Sequence, residues 1–382
     1  MRIVYFSFAS FTDCDFPLIR ELQRKKYDVR YFFPLNGYNN RQGLLDIKTK
    51  KHKKGIYKAS EYPELSIYKD YIDLNKIYVI NDPHGGSEWK HKLFWICVYF
   101  RILLMFPKVF HFTWQLYGNA KYLYYLPCKK AMTVHDPISH SNVTERKEEE
   151  ERMIAFRHSN HYVLLSDVFA KQFENKYLIA SDRVTITRMG EFNHLRCFEN
   201  KQTNLSQPYI LFFGQIYSYK GIEYLCEAMT MIHNRHPHVN LVIAGKGEWY
   251  FDISKYENLS YITLRNEYIA ISELASLLQG ALFAVCPYKD ATQSGVVQTA
   301  FSANLPLVVT NVGALPMEVK DDVYGRIVPP CDSVSLADVM DDLLTNRNKL
   351  ERYRDNIDKL WRPSMDWGKI ADKYISVWER CC

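Results

Sequence analysis

The sequence has no C-x-x-C pair. Its nine cysteines are odd in number and scattered, and two of them, Cys381 and Cys382, stand side by side. That pattern excludes a disulfide framework and a zinc ribbon, and it points to reduced thiols in a cytoplasmic protein. No uncharged apolar run reaches the roughly 18 residues that a membrane span needs. The opening MRIVYFSFAS lacks a basic n-region, a long apolar stretch and a cleavage site, so it reads as a strand and not as a secretory leader. No zinc-finger or RNA-recognition signature is present, and a net charge of +6 is mild for 382 residues. A nucleic-acid partner is therefore not expected, whereas phosphates or acidic lipids suit the charge.

What is present is the composition of a globular protein: 47% hydrophobic and 24% charged residues, with 16 glycines and 15 prolines. The length predicts two domains, each able to build its own core. Short apolar runs alternate with amphipathic stretches over most of the chain, which predicts an α/β fold with parallel sheets. Strands are expected at 3–8, 29–33, 77–80, 109–112, 131–134 and 162–165, with a first helix over 16–26. A polar stretch at 200–208 breaks the series. A second series then begins: strand 209–213, helix 221–235, strand 240–244, strand 281–286, helix 295–303 and strand 307–310. This places one Rossmann-like domain at 1–200 and a second at 205–360. A terminal helix within 361–382 is expected to pack back on the first. Two such domains facing one another would leave a deep cleft.

Four segments carry chemistry. In the first, a strand ends at Gly214-Gln215, and a short loop leads to Lys220-Gly221 at a helix entry, where a lysine can neutralise a phosphate. Alone, Lys220 would read as a solvated surface lysine. The second, Gly245-Lys246-Gly247, again follows a strand and permits close backbone approach to a ligand, or is an ordinary turn. The third runs from Pro287-Tyr288 through Asp290, Gln293, Ser294, Gly295 and Val296 to Gln298. A polar loop there feeds a helix whose unpaired N–H groups form an anion site at the carboxyl end of a strand. Ser294 as a plain N-cap would explain that one residue but not the whole polar run. The fourth, 311–318, brings Glu318 towards the same crevice or leaves it on the surface.

Together and in this order, these segments resemble the retaining glycosyltransferases of family 4, which have the two-domain GT-B fold. The run from Pro287 to Gly295 is similar to a bacterial subgroup that builds polysaccharides, and Asn266-Glu267-Tyr268-Ile269 also fits it. The resemblance covers 209–331 well and the first half loosely. It implies that Lys220 and the backbone N–H groups of Ser294, Gly295 and Val296 hold the diphosphate of a nucleotide sugar. Asp290 stands where the family's first paired carboxylate meets the sugar hydroxyls, and Gln298 stands where the second grips the ribose. Arg265 and Tyr268 fall near the base-binding loop. Two positions depart from the family pattern: Gln215 replaces an arginine and Gln298 a carboxylate. Weaker donor binding, a different donor, or compensation elsewhere follow as alternatives.

In the first half, His135-Asp136-Pro137 closes a strand. The resemblance places His135 against the donor sugar; the bland alternative is a turn. Ser10, Thr12 and Asp13 occupy the loop after the first strand, which here lacks the family's paired glycines. They are assigned, with Asp136, to the acceptor side. No D-x-D-like site marks a sugar pocket, so the expectation is no cofactor and no catalytic metal, with the nucleotide sugar as co-substrate. The acceptor is expected to be a glycan or a lipid-linked acceptor, whose phosphates would suit the lysines at 48–54. The basic cluster at 48–54 and the aromatic-rich stretch 89–106 suit peripheral contact with an anionic membrane, although the stretch reads first as a buried core helix. A nucleotide-sugar epimerase, a phosphorylase and a non-catalytic sugar-nucleotide-binding subunit are the competing functions.

Overall fold

The structure, a computed structural model, describes residues 1–36, 45, 47, 52–83, 89–137, 146–198, 205, 207–291 and 295–381. Two units are distinct. The first comprises Met1–Gly190 and Met365–Cys382, the second Glu191–Ser364.

The first unit is built on a sheet of eight strands in the order β3-β4-β2-β1-β5-β6-β7-β8. These are β1 (Arg2–Phe6), β2 (Asp28–Asn36), β3 (Gly55–Lys58), β4 (Ile77–Asp82), β5 (Val109–Phe112), β6 (Lys129–Val134), β7 (His161–Leu164) and β8 (Val184–Ile186). Every pairing is parallel except that of the edge strand β3 with β4. Strands β1, β4 and β5 are mostly apolar and almost wholly buried, the mark of a sheet covered on both faces. Helices α1 (Thr12–Arg24), α2 (Trp89–Leu103), α3 (Arg146–His158) and α4 (Ala170–Tyr177) belong to the same unit.

Helix α1 begins at Thr12, four residues before the predicted start, so Thr12 and Asp13 sit on a helix and not in a loop. Asp13 and Asp15 both fall in its first turn. The expectation of a buried core helix at 89–106 is corrected as well. Trp95, Val98 and Ile102 of α2 are buried, but the opposite face is exposed.

The second unit has six parallel strands in the order β11-β10-β9-β12-β13-β14. They are β9 (Tyr209–Phe213), β10 (Asn240–Gly245), β11 (Ile262–Asn266), β12 (Ala284–Cys286), β13 (Leu307–Thr310) and β14 (Gly325–Val328). The chain steps outward from β9 to β11, then returns to the other side of β9 with β12. The switch point therefore lies between β9 and β12, the place where open α/β sheets accept ligands. Helices α5 (Ile222–Ile232), α6 (Ile271–Gly280), α7 (Gly295–Ser302), α8 (Leu315–Val319), α9 (Ser333–Thr345) and α10 (Arg347–Asn356) follow. A π turn, Ile357–Trp361, joins α10 to the short α11 (Arg362–Ser364).

The last helix, α12 (Trp367–Cys381), belongs to the first unit. Its buried face carries Trp367, Ile370, Ala371, Tyr374 and Trp378, a helical stripe. Trp378 Nε1 donates to His111 Nδ1 at 3.0 Å, which leaves His111 Nε2 to carry the ring proton and donate to Thr133 Oγ1 at 2.8 Å. Burial pushes the His111 imidazole down to about 3, so the neutral ring required by these bonds is also the favoured one. Among the described residues, no helix is long and apolar enough to cross a membrane.

Candidate functional site

The candidate site of the second unit is assembled from strand ends. β9 stops at Gly214, whose φ of +121° suits glycine. The Gly214 N–H donates to the Ala244 carbonyl at 3.1 Å, and the Ile216 N–H to the Lys246 carbonyl at 3.1 Å. These bonds pull the loops after β9 and β10 together so closely that a Cβ on Gly245 would lie 1.7 Å from the Gly214 carbonyl oxygen. A Cβ on Gly247 would lie 2.2 Å from the Ile216 carbonyl oxygen. Asn266, the last residue of β11, clamps the same loop, with Nδ2 donating to the Gly247 carbonyl (2.9 Å) and Oδ1 accepting from its N–H (3.1 Å).

On the other side of β9, Gly221 adopts a left-handed φ of +63° and fits where a Cβ would come 2.0 Å from the Pro287 carbonyl oxygen. The Lys289 N–H donates to the Tyr219 carbonyl at 2.7 Å, closing the crossing from below. Thr310, at the end of β13, donates its hydroxyl to the Tyr288 carbonyl at 2.6 Å and fixes the end of β12. Gly214 lies against α7, since a Cβ there would be 3.7 Å from Val296 Cγ2. The structure thus brings Gly214, Gly245, Lys220, Val296 and the 287–288 turn together at the switch point.

Lys220 is the chemical centre of this cluster. It ends the 3-10 turn Ser218–Lys220, and its side chain is buried to 8% exposure. Its ammonium lies 3.7 Å from the centroid of the Tyr288 ring and 5.0 Å from that of Tyr219. Among the described residues, no carboxylate pairs with it. Burial pushes its amine down to about 8. A ring face attracts a cation but does not neutralise it. The arrangement is therefore a desolvated positive charge beside backbone that only glycine permits, the makings of an anion site. Glu318, on α8, is half-buried, and burial raises its carboxyl to about 7. Both Lys220 and Glu318 act electrostatically on the buried Cys286 at the end of β12.

The remaining predicted residues are less uniform. Gln215 and Asp290 are exposed. Gln298 is half-buried on α7, which starts at Gly295. Gln293 and Ser294 lie outside the described residues. Arg265, at the end of β11, is committed to two carboxylates, Glu267 at 2.7 Å and Glu273 at 2.6 Å. That commitment fixes the guanidinium to its own loop, while the neighbouring Tyr268 ring stands 53% exposed. A further network escapes a reading of the sequence. Glu223 on α5 accepts from Tyr250 Oη (2.6 Å) and pairs with Lys289 (2.8 Å), and Tyr250 Oη also accepts from the Ile222 N–H (2.7 Å). This network ties the start of α5 to the turn after β12, and no local motif announces it.

The first unit presents different chemistry at its strand ends. His135, which follows β6, stacks on Phe11 with centroids 4.3 Å apart, and burial pushes its imidazole down to about 4. Asp136 offers its carbonyl to Arg152 at 2.6 Å. Ser10 lies in the 3-10 turn Ala9–Phe11, and Thr12 donates its hydroxyl to the Ala9 carbonyl at 2.8 Å, so Thr12 serves the turn. Burial raises Asp13 to about 6. Asp15, missed in the sequence, accepts from Tyr5 (3.1 Å) and Tyr31 (3.0 Å), and burial raises it to about 7. A pocket lined by Asp15, Cys14, Thr133, His135, Arg188 and Trp367 opens beside it. The cluster 48–54 lies partly outside the described residues. Lys54, within them, pairs with Asp82 at 3.2 Å.

This geometry can be set beside known proteins. Residues 207–346 match the family of Glycosyl transferases group 1. The match covers the glycine-rich strand ends and Lys220. An uncharacterized glycosyltransferase of Methanocaldococcus jannaschii is 32% identical over 177 residues, 44% of this chain and 44% of its own length. The chain thus spans about half the length of the curated relatives it matches. Over the whole chain, the fold is that of GT-B glycosyltransferases, with two parallel-sheet α/β units. An Anabaena protein solved in complex with UDP matches with a TM-score of 0.64 at 12% identity, covering 100% of both chains. The UDP-GlcNAc 2-epimerase of Neisseria meningitidis matches with a TM-score of 0.63 at 12% identity, again covering 100% of both.

Proposed function

We propose that the chain is a glycosyltransferase that moves a hexose from a nucleotide diphosphate sugar to a lipid-linked glycan, with retention at the anomeric carbon, in the synthesis of a bacterial surface polysaccharide. The observation that carries the donor part is Lys220: a buried ammonium that no carboxylate among the described residues pairs with, set among glycine-dependent strand ends at the switch point. When the bond between the anomeric carbon and the diphosphate breaks, negative charge grows on the departing oxygen. A fixed, desolvated cation stabilises that charge more in the transition state than in the ground state. The acceptor oxygen bonds to the anomeric carbon, and its proton leaves with the diphosphate, on the same face of the sugar.

The segment match and the structural neighbour solved with UDP support a nucleotide-sugar donor. In this reading Lys220 and backbone N–H groups do the work that a metal ion does elsewhere, so transfer proceeds in the presence of a chelator. Gln298 meets the ribose by a neutral hydrogen bond, weaker than a charge-assisted one. The polar strand ends of the first unit, with His135 neutral and Asp13 half-buried, are assigned to sugar hydroxyls.

A thermal-shift screen against UDP, GDP, ADP and their sugars tests the donor part, because a ligand bound to the native state raises the melting temperature. One nucleotide series is expected to stabilise the protein, and Lys220→Ala to lose both that shift and turnover. Undiminished transfer by Lys220→Ala would overturn the assignment. A second reading is a nucleotide-sugar epimerase, favoured by the Neisseria neighbour. Product analysis separates the two, since an epimerase alters the donor with no acceptor present, whereas a phosphorylase transfers a glycosyl group from a glycan to phosphate and leaves a nucleotide sugar untouched. Donor binding with no turnover on any acceptor would favour a non-catalytic subunit, the reading to which Gln215 and Gln298 point.

A further inference from the structure

The outer face of α2 is the largest feature that the donor site does not use. Trp89, Leu93, Ile96 and Phe100 recur at helical spacing on the side opposite the buried Trp95, Val98 and Ile102. Leu104 continues the stripe and Phe106 follows it. These six side chains are between 38% and 77% exposed. A helix apolar on both faces normally has protein on both. Here one face packs on the sheet and the other is uncovered, a patch of the kind that marks an interaction surface.

The charges around the stripe select the partner. Lys90 and Arg101 border it on one side and Lys92 on the other, all three exposed. The helix Trp89–Leu103 contains no Asp or Glu. The exposed Lys108 stands just past its end. A two-fold contact between copies of this chain would bring the same cations together on one patch, which is unfavourable. An anionic lipid surface takes both features at once: apolar side chains enter the acyl boundary, and lysines and arginine meet headgroups. No helix of the described residues is long and apolar enough to span the bilayer, so α2 would lie in the plane of the interface.

We infer that α2 docks the first unit on an anionic membrane surface through its outer stripe. This deepens the lipid-linked acceptor in the proposed function and is independent of the donor site, because an acceptor held in a bilayer reaches only an enzyme that comes to it.

Co-sedimentation of the full chain with phosphatidylglycerol–phosphatidylcholine vesicles, and with phosphatidylcholine alone, tests the inference. Binding is expected to the anionic vesicles, to weaken with added salt, and to fall about tenfold or more in the double variant Leu93→Ser, Phe100→Ser. Both positions are exposed, so the variant retains the wild-type circular dichroism and donor-induced thermal shift. Lys90→Glu with Lys92→Glu is expected to weaken anionic binding while leaving the neutral vesicles unaffected. No binding by the wild type, or equal binding by the Leu93, Phe100 variant, would overturn the inference. So would a wild-type dimer that this variant converts to monomer without any vesicle binding, since a second copy would then cover the stripe. Loss of vesicle binding with an intact donor shift separates this surface from the donor reading, and the reverse result separates the donor reading from this surface.

Discussion

The two units are both built on a doubly wound parallel core, eight strands in the first and six in the second, and furnish it in opposite ways. At the switch point of the second, four glycines, Gly214, Gly221, Gly245 and Gly247, line the strand ends, three of them pressed against neighbouring backbone carbonyls, with a single buried ammonium among them. At the strand ends of the first, the loops carry Phe11, Trp114 and His135 in ring contact, with Asp13 and Asp15 held towards their neutral forms by burial. Bare backbone and a cation suit a phosphate, which needs close N–H groups and positive charge. Aromatic walls with neutral polar groups suit sugar rings, which offer apolar faces and hydroxyls. The parallel sheet supplies the place, and the loop residues decide the chemistry.

The sharpest way to break this contrast is to remove the cation. Lys220→Met keeps the length of the side chain and deletes the charge. Turnover is expected to fall about a hundredfold to a thousandfold, the loss seen when one preorganised group facing developing charge is removed. The melting temperature is expected to rise, because a desolvated charge that no carboxylate among the described residues pairs with has been replaced by an apolar chain. Lost activity with raised stability is the signature of a functional cation, and lost activity with lost stability would make Lys220 structural. The pH dependence sharpens the same point. The unfolded chain holds the lysine proton to about 10.5 and the folded chain releases it near 8. Folded stability therefore rises across that window, while donor affinity, which needs the ammonium, falls above about pH 8. Titration calorimetry with the free nucleoside diphosphate across that range reads the second effect directly.

A smaller effect is expected from the backbone. Gly245→Ala places a Cβ where the Gly214 carbonyl oxygen already stands, and neither loop has a flexible end that can yield. Destabilisation of about 3 kcal/mol is expected by denaturant unfolding, with weakened nucleotide binding in whatever remains folded. A neutral outcome would mean that the crossing of the two loops is looser than the 1.7 Å approach implies.

How far the sequence discloses these features follows a physical line. Strands 209–213, 307–310 and 109–112 read directly, because central parallel strands are continuous apolar runs with no polar face. The four strands that escaped, β3, β8, β11 and β14, are the outer strands of the two sheets. Three of them are half-exposed along most of their length, and GIYK, VTI and ITLRN contain no run to find. The site divides in the same way. Gly214 and Gly245 are legible because each closes a strong strand, and Lys220 because it stands at the helix entry that follows one of them. The Glu223, Tyr250 and Lys289 network and the Asp15 cluster join residues that are far apart in sequence or whose burial only the packed sheet creates, so neither has a local signature.

The last test concerns the first unit, where burial raises two neighbouring acids. Asp15 releases its proton near 3.8 when unfolded and near 7 when folded, with burial as the leading cause. Between those values folding takes up a proton, so the stability contributed by this group is present at low pH and is lost as pH rises to about 7. The expected slope is up to about 1.4 kcal/mol per pH unit. Asp13, raised to about 6, adds a slope of the same sign, so the wild type alone cannot assign the effect. Asp15→Asn can, because the amide is neutral at every pH and the Asp13 slope remains in the variant. Subtracting the two stability profiles isolates Asp15: the variant should gain on the wild type steadily up to about pH 7 and run parallel to it above that. Parallel profiles throughout would mean that the Tyr5 and Tyr31 hydroxyls hold Asp15 ionised against its burial. The first unit would then offer a buried anion at its strand ends, and the contrast with the second would become one of charge sign.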